Sequence, residues 1–170
     1  MRYQKQIFSC CFPSLLKKRL NKIDNKEDFG EPIEINTYEE EDGSVVTEKI
    51  YFVPDVGSSG IMPLSKSGKG WYKNEKTYTW SSGTKMKYYA QGYFTWGNGN
   101  ASVSNASSGV YNVPSKVKIS NRKTTTSTRR YAWVFNRYAQ VNFSFTTTNP
   151  IGMKDDFSVT IRVSESGNTI

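Results

Sequence analysis

The residues of this chain that could do chemistry are mainly cations, and seven of them cluster in one stretch of sequence. They are Lys116, Lys118, Arg122, Lys123, Arg129, Arg130 and Arg137. Cations in such numbers attract anionic polymers and lipid headgroups through long-range charge. Aromatic neighbours would also allow stacking on single-stranded nucleic acid, and a basic face can simply keep a protein soluble. We expect these cations to form a binding face for an anionic envelope polymer or a protein partner. We do not expect nucleic acid to be the partner.

A second candidate site is aromatic. Tyr89 and Tyr93 share one side of a predicted strand with Lys87 and Gln91. At the rise of a strand they lie about 13 Å apart, which would suit a small platform for a ligand such as a sugar ring. Trp80 lies on an apolar face of its own strand, so we expect that side chain in the core.

The sequence offers little for catalysis. It contains no histidine, which removes His-based acid–base chemistry and His metal ligands. The carboxylates of residues 56–170 are few, and Asp155 and Asp156 are adjacent, so on a strand they point to opposite faces. Ser-x-x-Lys occurs four times in a chain rich in both residues, which indicates chance. We therefore expect no enzymatic activity, no cofactor and no metal site.

The elements that must position these residues are strands. Apolar and polar residues alternate over residues 86–96, and Asn98-Gly99 follows, the strongest short hairpin signal. Similar alternation predicts strands at 113–120 and within 131–148, where the period slips near Asn136-Arg137, whereas residues 121–128 read as a polar loop. About seven strands in roughly 100 residues favour an all-β fold, an immunoglobulin-like antiparallel β-sandwich. A small closed barrel is the alternative.

Charge divides the chain into three parts. Residues 1–22 carry six bases and no acid, residues 24–55 carry eleven acids against two bases, and residues 56–170 carry fifteen bases against four acids. We predict a basic then acidic, poorly ordered N-terminal segment at 1–44, which is mostly disordered or forms a short helix. One strand plus a Gly/Pro/Ser linker follows at 45–69, and the β-sandwich domain occupies 70–170.

The N-terminus resembles an export signal poorly. Arg2 and Lys5 fit the basic start of a signal peptide, but the apolar run is short and is followed by Lys17-Lys18-Arg19 instead of small residues. Cys10 and Cys11 are adjacent and could be lipidated or remain free thiols. No apolar stretch is long enough to form a transmembrane segment.

Several segments resemble an uncharacterised family of small Gram-positive (Bacillota) proteins, a domain of unknown function. They are KTYTW (76–80), KMKYYA (85–90), YFTWG (93–97), VKISN (117–121) and FSVTIRV (157–163). Members of that family are usually exported, so the resemblance implies an extracellular or cell-surface setting, with a cytoplasmic one as the alternative. It carries over no activity or site residue. We expect a non-enzymatic binding module; the alternative is a small cationic secreted effector, such as a bacteriocin-like antimicrobial.

Overall fold

The chain forms two antiparallel sheets. The computed structural model describes residues 29–55, 67–130 and 137–170, and these contain eight strands and no helix. The strands are β1 (Glu34–Glu39), β2 (Val45–Pro54), β3 (Ser67–Thr79), β4 (Lys85–Gly97), β5 (Asn100–Tyr111), β6 (Lys118–Arg130), β7 (Arg137–Thr148) and β8 (Lys154–Ser164). The described residues thus include no helix that could span a membrane.

The strands follow chain order in both sheets. The first sheet is β1-β2-β3-β4-β5, the second is β6-β7-β8, and every pairing is antiparallel. The prediction of an all-β antiparallel sandwich is confirmed. The predicted immunoglobulin-like topology and strand count hold only approximately. Eight strands are described instead of about seven, and they follow chain order within each sheet instead of Greek-key connections.

The core lies between the two sheets. Along β4 every second side chain points inward, and Met86, Ala90 and Phe94 are completely buried. Rings from the two sheets meet edge to face across the interface, with centroids 5.2 Å apart for Tyr88 and Phe145. Such alternation along β4 directs one face toward the second sheet and the other toward the outside of the sandwich, where a site can lie.

Turn residues fix the hairpins as the sequence predicts. Asn98 and Gly99 have φ values of 51° and 70°, the left-handed conformation that a two-residue hairpin turn requires. They join Gly97 to its partner Asn100 and so set the register between β4 and β5. In the turn between β7 and β8, the Gly152 amide donates to the Asn149 carbonyl over 3.0 Å.

The sandwich begins earlier in the chain than the sequence indicates. The acidic segment expected to be poorly ordered contains β1, which pairs along its whole length with β2. Every side chain of β1 is exposed, so this strand is held by main-chain hydrogen bonds and gives no burial signal. Ser67 to Lys69, expected in the linker, belong to β3 and pair with β4. The sheet therefore extends beyond the predicted domain 70–170, while the predictions for residues 1–28 lie outside the described residues.

The prediction of a polar loop at residues 121–128 is wrong, since these residues form the centre of β6. Their threonines are β-branched and fit a pleated strand, and Thr124 and Thr126 lie opposite the buried Phe143 and Val141 of β7. The preceding strand, predicted from residue 113, begins only at Lys118. The predicted bend falls at the edge of residues 131–136, which lie outside the described part; a bulge lies instead between Ser120 and Lys123.

Candidate functional site

Most of the predicted cations lie on or beside strand β6. Lys118, Arg122 and Lys123 are on this strand and Lys116 is in the connection from β5, and all four are exposed. We call these four residues the basic edge, because β6 pairs with only β7 among the described strands. Arg129 and Arg130 end the same strand, but their side chains lie outside the described part.

Strand register explains why the basic edge faces solvent. Ile119 pairs with the buried Thr147 and packs against the core, so the neighbouring Lys118 points away from it. Lys123 lies opposite Ser144 on the same outer face, and the bulge before it leaves Arg122 exposed as well. In the part of the chain that the structure describes, none of the four cations forms a salt bridge. Their charge is therefore available to a partner.

Arg137 does not belong to the basic edge. It pairs with Arg130 at the start of β7 and is half-buried. Its guanidinium donates a hydrogen bond to the side-chain oxygen of Asn100, and its carbonyl accepts one of 2.9 Å from the Glu165 amide. The bond to Asn100 ties the second sheet to the β4–β5 hairpin, and the bond from Glu165 joins the start of β7 to the residue after β8, so both are structural.

The structure separates the two tyrosines expected to form a platform. Both lie on the outer face of β4, away from the core, but Tyr89 is only 5% exposed. The Tyr93 hydroxyl donates to Asp55 over 2.5 Å, and its ring meets Trp71 edge to face. Burial, and then the hydrogen bond to Asp55, raise the pKa of Tyr93 to about 12. Tyr89 instead forms part of a pocket to which Tyr93 does not contribute.

That pocket, which we call the outer pocket, has a volume of about 420 Å³ and opens on the outer face of the five-stranded sheet. Its walls are the rings of Phe29, Tyr51, Tyr89 and Tyr111. Its polar groups are those of Lys73, Glu75, Lys87 and Gln91. Four neighbouring strands contribute to the pocket through their register. Lys73 on β3 lies between Tyr51 on β2 and Gln91 on β4. Glu75 lies beside Tyr89 on β4, and Lys87 lies beside Tyr111 on β5.

A buried ion pair lies at the base of the outer pocket. The Lys73 ammonium is 2.6 Å from Glu75 Oε2, and these residues are 8% and 6% exposed. The Tyr111 hydroxyl donates to the same carboxylate oxygen, while the Lys87 ammonium is 3.7 Å from Oε1. The Lys73 ammonium also lies 5.3 Å from the ring centroids of both Tyr51 and Tyr89, within the range of a cation–π contact.

These contacts keep the carboxylate charged. Burial by itself raises the pKa of Glu75, but the hydrogen bonds from Lys73 and Tyr111 and the charges of Lys73 and Lys87 together lower it below its ordinary value. Burial and the adjacent Glu75 raise the pKa of Tyr111, so this phenol stays protonated and can donate. The base of the pocket is a preformed charged network within aromatic walls.

A larger cavity of about 590 Å³ lies at one end of the molecule. Carboxylates from the β1–β2 connection, including Asp42, line it together with Asp155 and Asp156. Asp42 accepts from the Ser44 amide over 2.9 Å, and Asp156 accepts from the Thr146 hydroxyl over 2.7 Å, so two of these acids serve the local fold. Among the described residues no group of three or more His, Cys, Asp or Glu side chains could hold a metal ion.

Sequence reasoning identified the basic edge and Tyr89 but missed Lys73 and Tyr111. Lys73, Glu75 and Trp71 alternate along β3, a pattern that indicates a shared face. Nothing in the sequence, however, indicates that Tyr51 and Tyr111, which lie on other strands, meet this face of β3.

Comparisons of the chain with protein-family models, with curated proteins and with solved structures find no match. The functional assignment therefore rests on the basic edge and the outer pocket themselves.

Proposed function

We propose that the protein is a non-enzymatic β-sandwich module that binds an anionic envelope polymer outside the cell or at its surface. The observation that carries this proposal is the basic edge, four exposed cations without an ion-pair partner among the described residues. The extracellular setting is inferred from the resemblance to exported Gram-positive proteins.

Charge supports a polymer as the ligand. The chain carries a net charge of +8, and repeated anionic groups along a polymer can meet several separated cations at once. Each exposed cation alone gives a weak, salt-screened attraction. When several cations bind the same polymer molecule, the first contact raises the effective concentration of its other anionic groups at the remaining cations, and the combined affinity becomes useful.

The face beside the basic edge adds hydrogen-bonding groups. Thr125, Asn142 and Thr160 form a row across β6, β7 and β8 on the outer side of the three-stranded sheet. The Thr160 hydroxyl donates to the Asn142 amide oxygen over 2.7 Å, and Thr125 is exposed. Such hydroxyl and amide groups both donate and accept, so they suit the hydroxyls of a carbohydrate or polyol chain.

The test is binding of the full chain to immobilised polygalacturonate and polyphosphate, with neutral dextran as the control polymer. We expect both anionic polymers to bind and dextran not to bind. The double variant Lys118→Ser/Lys123→Ser should weaken binding to both polymers by about tenfold or more, since it removes two of the four cations of the basic edge.

The control is Lys69→Ser/Lys85→Ser, which removes the same charge from exposed positions on the other sheet, one of them, Lys69, paired with Asp55. This variant should bind nearly as the natural sequence does. An equal loss of polymer affinity in both double variants would show that only the net charge of the protein matters. This result would contradict binding at the basic edge. Release of dye from anionic vesicles by the full chain would favour the cationic effector instead.

A further inference from the structure

We propose that the outer pocket binds one sugar ring that bears an acidic group, as a single unit of an anionic polysaccharide. This inference deepens the proposed function and rests on it for the choice of an anionic polymer. It names the unit that is recognised and places that unit on the opposite sheet from the basic edge.

The walls of the outer pocket suit a ring-shaped ligand. A volume of about 420 Å³ falls within the range of small-molecule sites, which are mostly apolar with a few placed polar groups. The ring of Tyr111 leans against the buried Tyr89 with centroids 6.2 Å apart, and the half-buried rings of Tyr51 and Tyr111 keep exposed surface for a ligand. Flat aromatic surfaces bury the apolar C–H faces of a sugar at little cost in conformational freedom.

The charges of the pocket select the acidic class of sugar. Among the residues that line the pocket, Lys73 and Lys87 face a single carboxylate, that of Glu75, so this lining carries a net positive charge and disfavours cations. Lys73 is occupied at the base, whereas the side chain of Lys87 is 37% exposed at the mouth. The Lys87 ammonium is therefore the group that an acidic substituent would reach, with the Gln91 amide available to hydroxyls.

The polar base of the pocket is organised before any ligand arrives. Glu75 is held by Lys73 and by the Tyr111 hydroxyl, and these contacts fix the walls that the ligand meets. A site whose side chains are already ordered loses less entropy on binding than a mobile one.

The outer pocket is also close to the basic edge along the chain. Tyr111 ends β5, and Lys116 follows five residues later, a span of at most about 18 Å for an extended chain. One polymer can therefore place a sugar in the outer pocket and continue toward the cations of the edge.

The experiment titrates the full chain with the monomer galacturonate, followed by calorimetry and by NMR shifts, and compares Lys87→Met with Lys85→Met. Both variants remove one lysine charge from the same face of β4, but only Lys87 lines the pocket. We expect Lys87→Met to weaken monomer binding about tenfold, the effect of losing one charged hydrogen bond. Lys85→Met should change it less than about twofold.

Gln91→Leu provides a second variant that leaves the ion pair intact, and it should weaken monomer binding too. The basic-edge variant Lys118→Ser/Lys123→Ser should bind the monomer normally while binding the polymer about tenfold more weakly. Salt-dependent binding of the polymer without any binding of the monomer would overturn the pocket assignment and leave the proposed function standing. Unchanged monomer affinity in Lys87→Met would also overturn it.

Discussion

Lys73 and Glu75 lie two residues apart on β3 and form an ion pair of 2.6 Å on the face of the sheet that points away from the core. Both are more than nine-tenths buried, because tyrosines from β2, β4 and β5 and Phe29 enclose them. The first sheet therefore packs on both of its faces, against the second sheet on one side and around this ion pair on the other.

Loss of the buried lysine should destabilise the fold markedly. Lys73→Met leaves Glu75 buried without its closest partner, and we expect the free energy of unfolding to fall by about 3 kcal/mol. The value lies at the low end for a broken buried pair, because Tyr111 and Lys87 remain near Glu75. Urea denaturation of the full chain measures it.

The control for that variant is Lys69→Met, on the same face of the same strand. Lys69 also pairs with a carboxylate, that of Asp55 at 3.1 Å, but its side chain is 45% exposed. Its loss should cost about 1 kcal/mol or less. Equal costs for the two variants would show that burial does not strengthen the Lys73–Glu75 pair.

The stabilising effect of Glu75 should depend on pH. Its folded-state pKa lies below the ordinary value of 4.5, so its contribution is fully present above pH 4.5 and is lost as pH falls through the folded pKa. We expect the stability difference between the natural chain and Glu75→Gln to shrink progressively below that pH. A constant difference between neutral and acidic pH, measured by denaturant titrations, would contradict this assignment.

Gly92 should be intolerant of a side chain because side chains of the neighbouring strand β5 and of the second sheet approach it closely. A Cβ at this position would lie 2.6 Å from a methyl of Val103 and 3.0 Å from one of Val141. Gly92→Ala should cost about 1–3 kcal/mol through overpacking. Adding Val103→Ala should restore part of that loss, and a double variant no more stable than Gly92→Ala would argue against this packing.

Tyr93 should remain protonated well above the pH at which an ordinary phenol ionises. With a pKa of about 12, it contributes almost nothing to phenolate absorbance at about pH 11. The natural chain and Tyr93→Phe should therefore have the same phenolate absorbance there and diverge only at higher pH. A lower absorbance of Tyr93→Phe already at about pH 11 would show that Tyr93 ionises normally.

The sequence revealed the strands whose side chains alternate between core and solvent. In β4 the buried Met86 and Phe94 alternate with polar residues, and the Asn98-Gly99 turn fixes the next strand. Edge strands were harder to recognise, because β1 is exposed throughout and β6 is rich in polar threonine. Main-chain pairing with a neighbour defines such strands, and the β-branched threonines of β6 are the local sign of it that the sequence offers.

The basic edge could be predicted because its cations are close together in sequence. The outer pocket could not, because Tyr51, Lys73, Tyr89 and Tyr111 come from four strands and meet only through register. Tyr89 was recognised as an outer-face residue, but its burial depends on neighbours far away in the chain.

The most direct test of the binding function is the salt dependence of the affinity of the full chain for polygalacturonate. If about four cations of the basic edge contact the polymer, the logarithm of the association constant should fall against the logarithm of salt concentration with a slope of about −3. Dextran should show no binding at any salt concentration. A slope near zero, or equal binding of dextran, would contradict the proposed function.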